Sequence, residues 1–283
     1  MADLPRLRIG NQTAFAARNL MAPFDYAVES AFDAFEWFPD KKPWGAGWDE
    51  NDLNPGMRSH IRETARTREM RLSVHARWQA NPLDYAAWPF LLKDLELAKD
   101  LGAVLLNIHL YTEQGIDVYV RAIEPLLKLA TQLAVQVAIE NTPVTGPEEF
   151  NEVFAKLSGL VPSGCAGMCL DVGHANLYGW TRHNYLRYLD QLSPDVPIIH
   201  LHLHENFGDY DSHLPLFTGP AGKDGSGVVG LLQRLQQRNF AGSVILEQWP
   251  EPPWLLRQAR DKFLECASIA RNSHTSNSSP GLS

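Results

Sequence analysis

Three histidines alternate along one short stretch, Ile198-Ile-His-Leu-His-Leu-His204, and a Gly-Asp-Tyr-Asp-Ser-His run ending at His213 follows it. In an extended chain, alternate side chains share a face. Ile199, Leu201 and Leu203 therefore form an apolar face, and His200, His202 and His204 an imidazole face. A face of imidazoles must meet water, a carboxylate or a metal. By itself the stretch suits a hydrogen-bonded histidine cluster and a metal site equally well. Asp211 and His213, two residues apart on the loop beyond, add two more groups of the same kind.

Similar residues close other short apolar runs. His75 ends Arg-Leu-Ser-Val-His, His109 ends Ala-Val-Leu-Leu-Asn-Ile-His, and Glu140 ends Val-Gln-Val-Ala-Ile-Glu. Asp171 ends Gly-Met-Cys-Leu-Asp, with His174 three residues on, and Glu247 ends Ser-Val-Ile-Leu-Glu. Any one of these residues alone reads as a hydrogen-bonded core group. Their recurrence at successive run ends is a pattern. Brought together without partners, Glu140, Asp171, Asp211 and Glu247 would repel one another and destabilise the fold, a conflict that divalent cations remove. Imidazole mixed with carboxylate and lacking thiolate suits zinc, manganese, cobalt or Fe(II) better than calcium or magnesium alone. Cys165 and Cys169 precede the run end and are assigned to core packing.

The elements that must position these residues alternate along the whole chain. Strands are expected at 7–11, 34–38, 71–75, 103–109, 135–140, 167–171, 197–203 and 243–247. Helices are expected at 23–32, 56–69, 85–101, 115–133, 147–157, 182–192, 227–238 and 254–270. The strands are short and apolar, as in a parallel sheet covered on both faces. Eight strand–helix units in 283 residues predict an α/β fold, a single (β/α)8 TIM barrel over residues 1–270. No Gly-x-Gly-x-x-Gly follows the first strand, which disfavours a doubly wound open sheet. In such barrels the chemistry lies at the C-terminal strand ends, where all the residues above converge.

Composition sets outer bounds. An apolar share of 45% with 20% charged residues is that of a globular protein, with no apolar stretch long enough to span a bilayer. The first residues lack the apolar core of a secretion signal, and three cysteines are too few for a disulfide framework, so a cytoplasmic location is expected. A net charge of −8 argues against a general nucleic-acid binder. Residues 271–283, rich in Ser and Asn, are expected to be a disordered tail.

With these residues in view, the chain resembles the xylose isomerase-like TIM-barrel superfamily, which includes sugar-phosphate isomerases and epimerases and the endonuclease IV-type AP endonucleases. The likeness rests on Ala-Ile-Glu140-Asn141-Thr-Pro, Cys-Leu-Asp171-Val-Gly-His174-Ala, His202-Leu-His-Glu-Asn206, Asp211-Ser-His213-Leu-Pro-Leu and Ile-Leu-Glu247. The resemblance implies one to three divalent ions (zinc, manganese or cobalt). Glu140, Asp171, His202 and Glu247 would hold the central ion; His75 and His109, with Glu140 bridging, a second; His174, Asp211 and His213 a third. Two departures stand out: Gly146 occupies the position where ketose 3-epimerases carry a second glutamate, and Glu205 replaces the usual Asp.

The resemblance implies an isomerase or epimerase of a sugar or sugar phosphate, with proton transfer through an enediolate. Glu140 and Glu247 would be the acid/base pair. His174 and His75 would hold hydroxyls, and His204 and Asn206 are further substrate contacts. Trp37, Trp44, Trp78 and Trp249 are candidate stacking surfaces, and Lys223 a candidate phosphate contact. The alternative is a zinc-dependent phosphoester hydrolase of the AP endonuclease type, for which Lys41, Lys42, Arg77 and Trp78 would meet DNA. The complete third trio favours the hydrolase. The acidic charge and the short loop from His202 to Asp211 favour the isomerase.

Overall fold

The computed structural model describes residues 7–276. Eight strands, β1 (Arg8–Gln12), β2 (Ala34–Trp37), β3 (Arg71–His75), β4 (Leu105–His109), β5 (Gln136–Glu140), β6 (Ala166–Asp171), β7 (Ile198–Leu203) and β8 (Ser243–Leu246), pair in parallel and in chain order. The last returns to the first through Arg8↔Ser243 to Asn11↔Leu246, which closes the barrel. The chain therefore folds as the (β/α)8 barrel that the alternation predicts.

The period of two in each strand sorts residues between two layers. Leu72 and Val74, Leu106 and Ile108, Val137 and Ile139, Met168 and Leu170, and Leu201 and Leu203 are buried in the large apolar layer between strands and helices. The alternate residues fill the barrel. Its interior holds a small apolar cluster of Leu105, Ala138 and Cys169, with Ile199 against it. Glu36, Ser73, Asn107, His200 and His202 are also buried inside, and four of the eight strands end in His, Asp or Glu.

The covering helices are α1 (Ala22–Glu29), α2 (Pro55–Thr67), α3 (Trp88–Leu101), α4 (Ile116–Gln132), α5 (Pro147–Leu157), α6 (Val172–Leu177), α7 (Tyr185–Gln191), α8 (Pro220–Lys223), α9 (Ser226–Gln237) and α10 (Trp254–Ser276). Their ends follow local chemistry. Asn54 caps α2 by accepting from the Met57 amide, and Pro55 opens the helix. Glu149 reaches back to the Gly146 amide at the start of α5. Gly102 ends α3 in the left-handed conformation.

Two short helices lie where the sequence reading placed loops. Asp171 caps α6 by accepting from the His174 amide at 2.6 Å, so one residue ends a strand and starts a helix. The α8 turn begins where the Ala221 amide meets the Glu205 carboxylate at 2.8 Å. At the C-terminus, α10 carries Arg271–Ser276 as helix, which corrects the expected tail over those residues; the rest of that tail lies outside the described residues.

Candidate metal centre and active site

The site is built upward from the barrel interior, beginning with a residue the sequence reading passed over. Glu36 of β2 is wholly buried. Its Oε2 accepts from Ser73 Oγ at 2.7 Å and lies 2.9 Å from His200 Nε2, while Oε1 lies 2.9 Å from His202 Nε2. Burial alone would raise the Glu36 carboxyl, but the His202 and His200 imidazoles hold it well below the usual carboxylate range. His200 is lowered too, because burial depresses it more than Glu36 raises it.

Above this layer, Glu140 is a hub. Its Oε2 lies 3.1 Å from His75 Nε2 and 3.3 Å from His202 Nδ1, and accepts a short bond from Asn107 Nδ2. Its Oε1 lies 3.6 Å from His109 Nε2 and 3.4 Å from His174 Nδ1. Glu247, from the far side of the barrel, places Oε1 3.1 Å from the same His202 Nδ1. Burial pushes Glu140 up, yet His202 and His109 hold it well below its ordinary value. Burial opposes charge on His75 and His202, but both rings stay above the ordinary histidine value, His75 through Glu140 and His202 through Cys169 and then Glu247, Glu140 and Glu36. Phe38 packs on His75 with ring centres 4.5 Å apart and walls that side.

A second cluster lies beside the first. Asp171 Oδ1 is 3.2 Å from His204 Nε2, and Asp171 Oδ2 is 3.5 Å from His174 Nδ1. Asp211 Oδ2 meets His174 Nε2 at 3.2 Å and His213 Nε2 at 3.1 Å. Burial opposes protonation of both rings; His174 is nevertheless pushed up to about 10, first by Asp171, and His213 to about 9, first by Asp211. Asp171 and Asp211 are lowered against the effect of burial by the facing imidazoles. The loop carrying Asp211 and His213 is closed at its neck by paired backbone bonds between Glu205 and Leu214, at 2.9 and 2.8 Å. Gly173 explains the glycine of the Asp-x-x-His motif, since a Cβ there would run into the His204 ring.

The nine residues expected as ligands, His75, His109, Glu140, Asp171, His174, His202, Asp211, His213 and Glu247, thus lie in one continuous network. One substrate contact read from the sequence, Trp37, is corrected. Trp37 is fully buried against Phe24, Phe35 and Trp48, because alternation sends Glu36 inward and Trp37 outward beneath the helices. His204 is 2% exposed and stacks on His213 at 4.1 Å, so it belongs to the buried cluster. Asn206 spends its amide on the Gly173 carbonyl, the Asn176 amide and the Gly208 amide; it shapes the loop. Trp249 packs edge-on against Tyr26, and Lys223 is exposed at the end of α8. Trp78, 49% exposed, and Trp44, 78% exposed, stand on the rim loops as expected. Cys169 is buried core, as expected, yet close enough to His200 and His202 to be a potential ligand.

The donor chemistry tests whether cations fit. The Nδ1 atoms of His75, His174 and His213 face the backbone carbonyls of Ala76 (2.6 Å), Asn141 (2.7 Å) and Glu247 (3.1 Å). A carbonyl only accepts, so Nδ1 carries the proton and, in each neutral ring, Nε2 offers a lone pair. Each Nε2 faces a carboxylate oxygen, and two of them share Asp211 Oδ2. Lone pairs converging on anions, with the opposite ring nitrogen fixed by a carbonyl, is the arrangement of metal-binding histidines. His202 Nδ1, between Glu140 and Glu247, has no hydrogen-bond partner although buried. The residues present fit divalent cations.

Comparison with known proteins agrees with this architecture. A family model described as the xylose isomerase-like TIM barrel matches residues 24–266. The chain belongs to that family. Among solved structures, this family member resembles a D-tagatose 3-epimerase-like protein, with TM-score 0.73 and 20% identity, covering 94% of this chain and 99% of the other. It also resembles an L-ribulose 3-epimerase, with TM-score 0.72 and 13% identity, covering 98% and 100%. At these identities the likeness speaks to the fold. An uncharacterized protein of Methanocaldococcus jannaschii is 25% identical over 144 residues, 48% of this chain and 45% of the relative, so the chain spans about half the length of that curated relative.

Proposed function

We propose that this xylose isomerase-like barrel is a divalent-metal-dependent isomerase or epimerase of a sugar or sugar phosphate. The observation that carries this reading is the meeting of Glu140 and Glu247, from opposite sides of the barrel, at the unpartnered Nδ1 of His202. Glu140, Asp171, His202 and Glu247 would hold a central ion, with His75 and His109 beside Glu140 and with His174, Asp211 and His213 completing the cluster. A bound divalent ion supplies a Lewis acid for a carbonyl and its neighbouring hydroxyl, and so acidifies the C–H bond between them.

The chain's own groups do the rest. Glu140 and Glu247 are the pair placed to take a proton from carbon and return one, both facing His202. His75 and His174, fixed by backbone carbonyls, hold substrate hydroxyls. Phe38 and Tyr111 flank the His75–His109 side and limit water there. The names of the similar structures, a tagatose-type and a ribulose epimerase, support a ketose-like substrate.

A phosphoester hydrolase of the AP endonuclease type is the second reading, favoured by one observation, the closed His174–Asp211–His213 trio. Two of its four expected DNA contacts are otherwise engaged: Lys41 pairs with Asp49 and Asp52, and Arg77 with Asp94 and Glu50. A metal-loaded screen of ketoses, sugar phosphates and abasic-site DNA separates the two. Solvent deuterium entering the turned-over ketose at the reacting carbon is the expected result. Three zinc ions per chain together with cleavage of abasic DNA would replace it with the hydrolase.

A further inference from the structure

We infer that Glu36 is a positioning residue that orients His202 toward the rim, an inference that rests on the metal-dependent reading of that rim. Three side chains from two other strands converge on this one carboxylate: Ser73 of β3 and His200 and His202 of β7. All four are at most 3% exposed, so none relies on water.

The two Glu36 oxygens are used differently. Oε2 already takes the Ser73 hydroxyl and faces His200. Oε1 is buried without an aligned hydrogen bond, and His202 Nε2 is the ion-pairing atom 2.9 Å from it. The N–H does not point straight at the oxygen, so this contact stands on distance. Carboxylates, which only accept, face both ring nitrogens; Glu36 Oε1 is the nearest, at 2.9 Å against 3.1 and 3.3 Å, and so draws the single proton of the neutral His202 ring to Nε2. Nδ1 is then left as a lone pair between Glu140 Oε2 at 3.3 Å and Glu247 Oε1 at 3.1 Å. With the proton on Nδ1, the ring would present a donor to the rim and could not ligate there. Unlike His75, His174 and His213, His202 makes no ring contact to a backbone carbonyl; Glu36 supplies the equivalent restraint from inside the barrel. Ser73 and His200 in turn hold Glu36, so the restraint extends one layer deeper.

The test reads metal affinity and ring protonation, neither of which needs a substrate. Cobalt(II) is titrated into metal-stripped native and Glu36→Gln proteins, followed by visible absorption, and the ring nitrogens of His202 are observed by 15N NMR in the zinc-loaded proteins. We expect Glu36→Gln to weaken cobalt binding about 10- to 100-fold, the range for loss of an outer partner of a ligand, and to shift the cobalt spectrum. Native His202 should show its proton on Nε2. Native-like affinity and spectrum in Glu36→Gln would overturn the inference. So would a native Nδ1 proton, a measurement that stands even where the variant fails to fold. Should native protein take up neither ion, the metal-dependent reading fails. The tautomer of the neutral ring at alkaline pH then still decides on Glu36, and a proton on Nδ1 rejects it.

Discussion

At the scale of single residues, the centre is defined by which atom each ring presents. His75, His174 and His213 are tied through Nδ1 to carbonyls and present Nε2; His202 presents Nδ1 to Glu140 and Glu247. Glu140 and Asp171 are kept ionised by the imidazoles that face them although burial opposes it. Glu247 then has a role that can be isolated. Glu247→Gln keeps size and removes the charge, and turnover should fall by about 10²- to 10⁴-fold, the usual contribution of a positioned acid/base group, with the melting temperature little changed. An active variant would remove Glu247 from the chemistry.

At the scale of elements, precision comes from the strand ends and the loops tied to them. The Asp171 cap makes β6 run directly into α6, which turns His174 back over Asp171. Gly173 leaves room there for His204. Gly173→Ala should displace that ring and weaken metal binding about 10-fold or more; calorimetric titration with zinc checks this, and unchanged affinity would show that His204 can move freely. On the β3 side, Arg77 bonds Asp94 of α3 through both its amide and its guanidinium, and also reaches Glu50. Asp94 is wholly buried, so Asp94→Asn removes the more deeply buried of the two carboxylates that balance Arg77 and leaves Glu50 alone to do so. Denaturant unfolding should register a loss of about 3 kcal/mol, as for breaking one side of a buried ion pair.

At the scale of the molecule, the barrel gathers residues from β2 to β8 into one charged interior, and its stability should follow the protonation of that interior. In metal-stripped protein, His213 is raised to about 9, so its contribution is present below its ordinary value of 6.5 and lost as pH rises through about 9. Asp211 is lowered, so its contribution is present above 3.8 and lost as pH falls through its depressed value. The melting temperature of stripped protein should therefore be highest between about pH 4 and 6.5, as far as this pair governs it. Added zinc should raise it at neutral pH, because a ligand of the native state stabilises by mass action, and the gain should shrink in acid as protons compete for the imidazoles. Differential scanning calorimetry over pH, with and without zinc, checks both slopes; a zinc effect independent of pH would argue against histidine ligation. Among the described residues no helix is long and apolar enough to cross a membrane.

The alternation of apolar runs was enough to indicate eight strands and their order, because a parallel barrel needs each strand apolar on its outer face and short enough to be crossed by a helix. The residues that end those strands were also legible, since ionisable groups recurring at the ends of successive apolar runs mark a shared rim. Glu36 was not, although it had a signal: in Ala-Phe-Glu-Trp-Phe the choice of Trp37 for the rim implied Glu36 facing outward, and period two allows only one of them inside. The short helices after Asp171 and Glu205 escaped for another reason, since each is started by a side-chain carboxylate and not by an apolar period. Only the closed barrel decided which carboxylate each of His200, His202 and His204 meets. Alternate residues along β7 and just past its end face Glu36, Glu140 and Asp171, which come from three other strands, and that pairing is a property of closure.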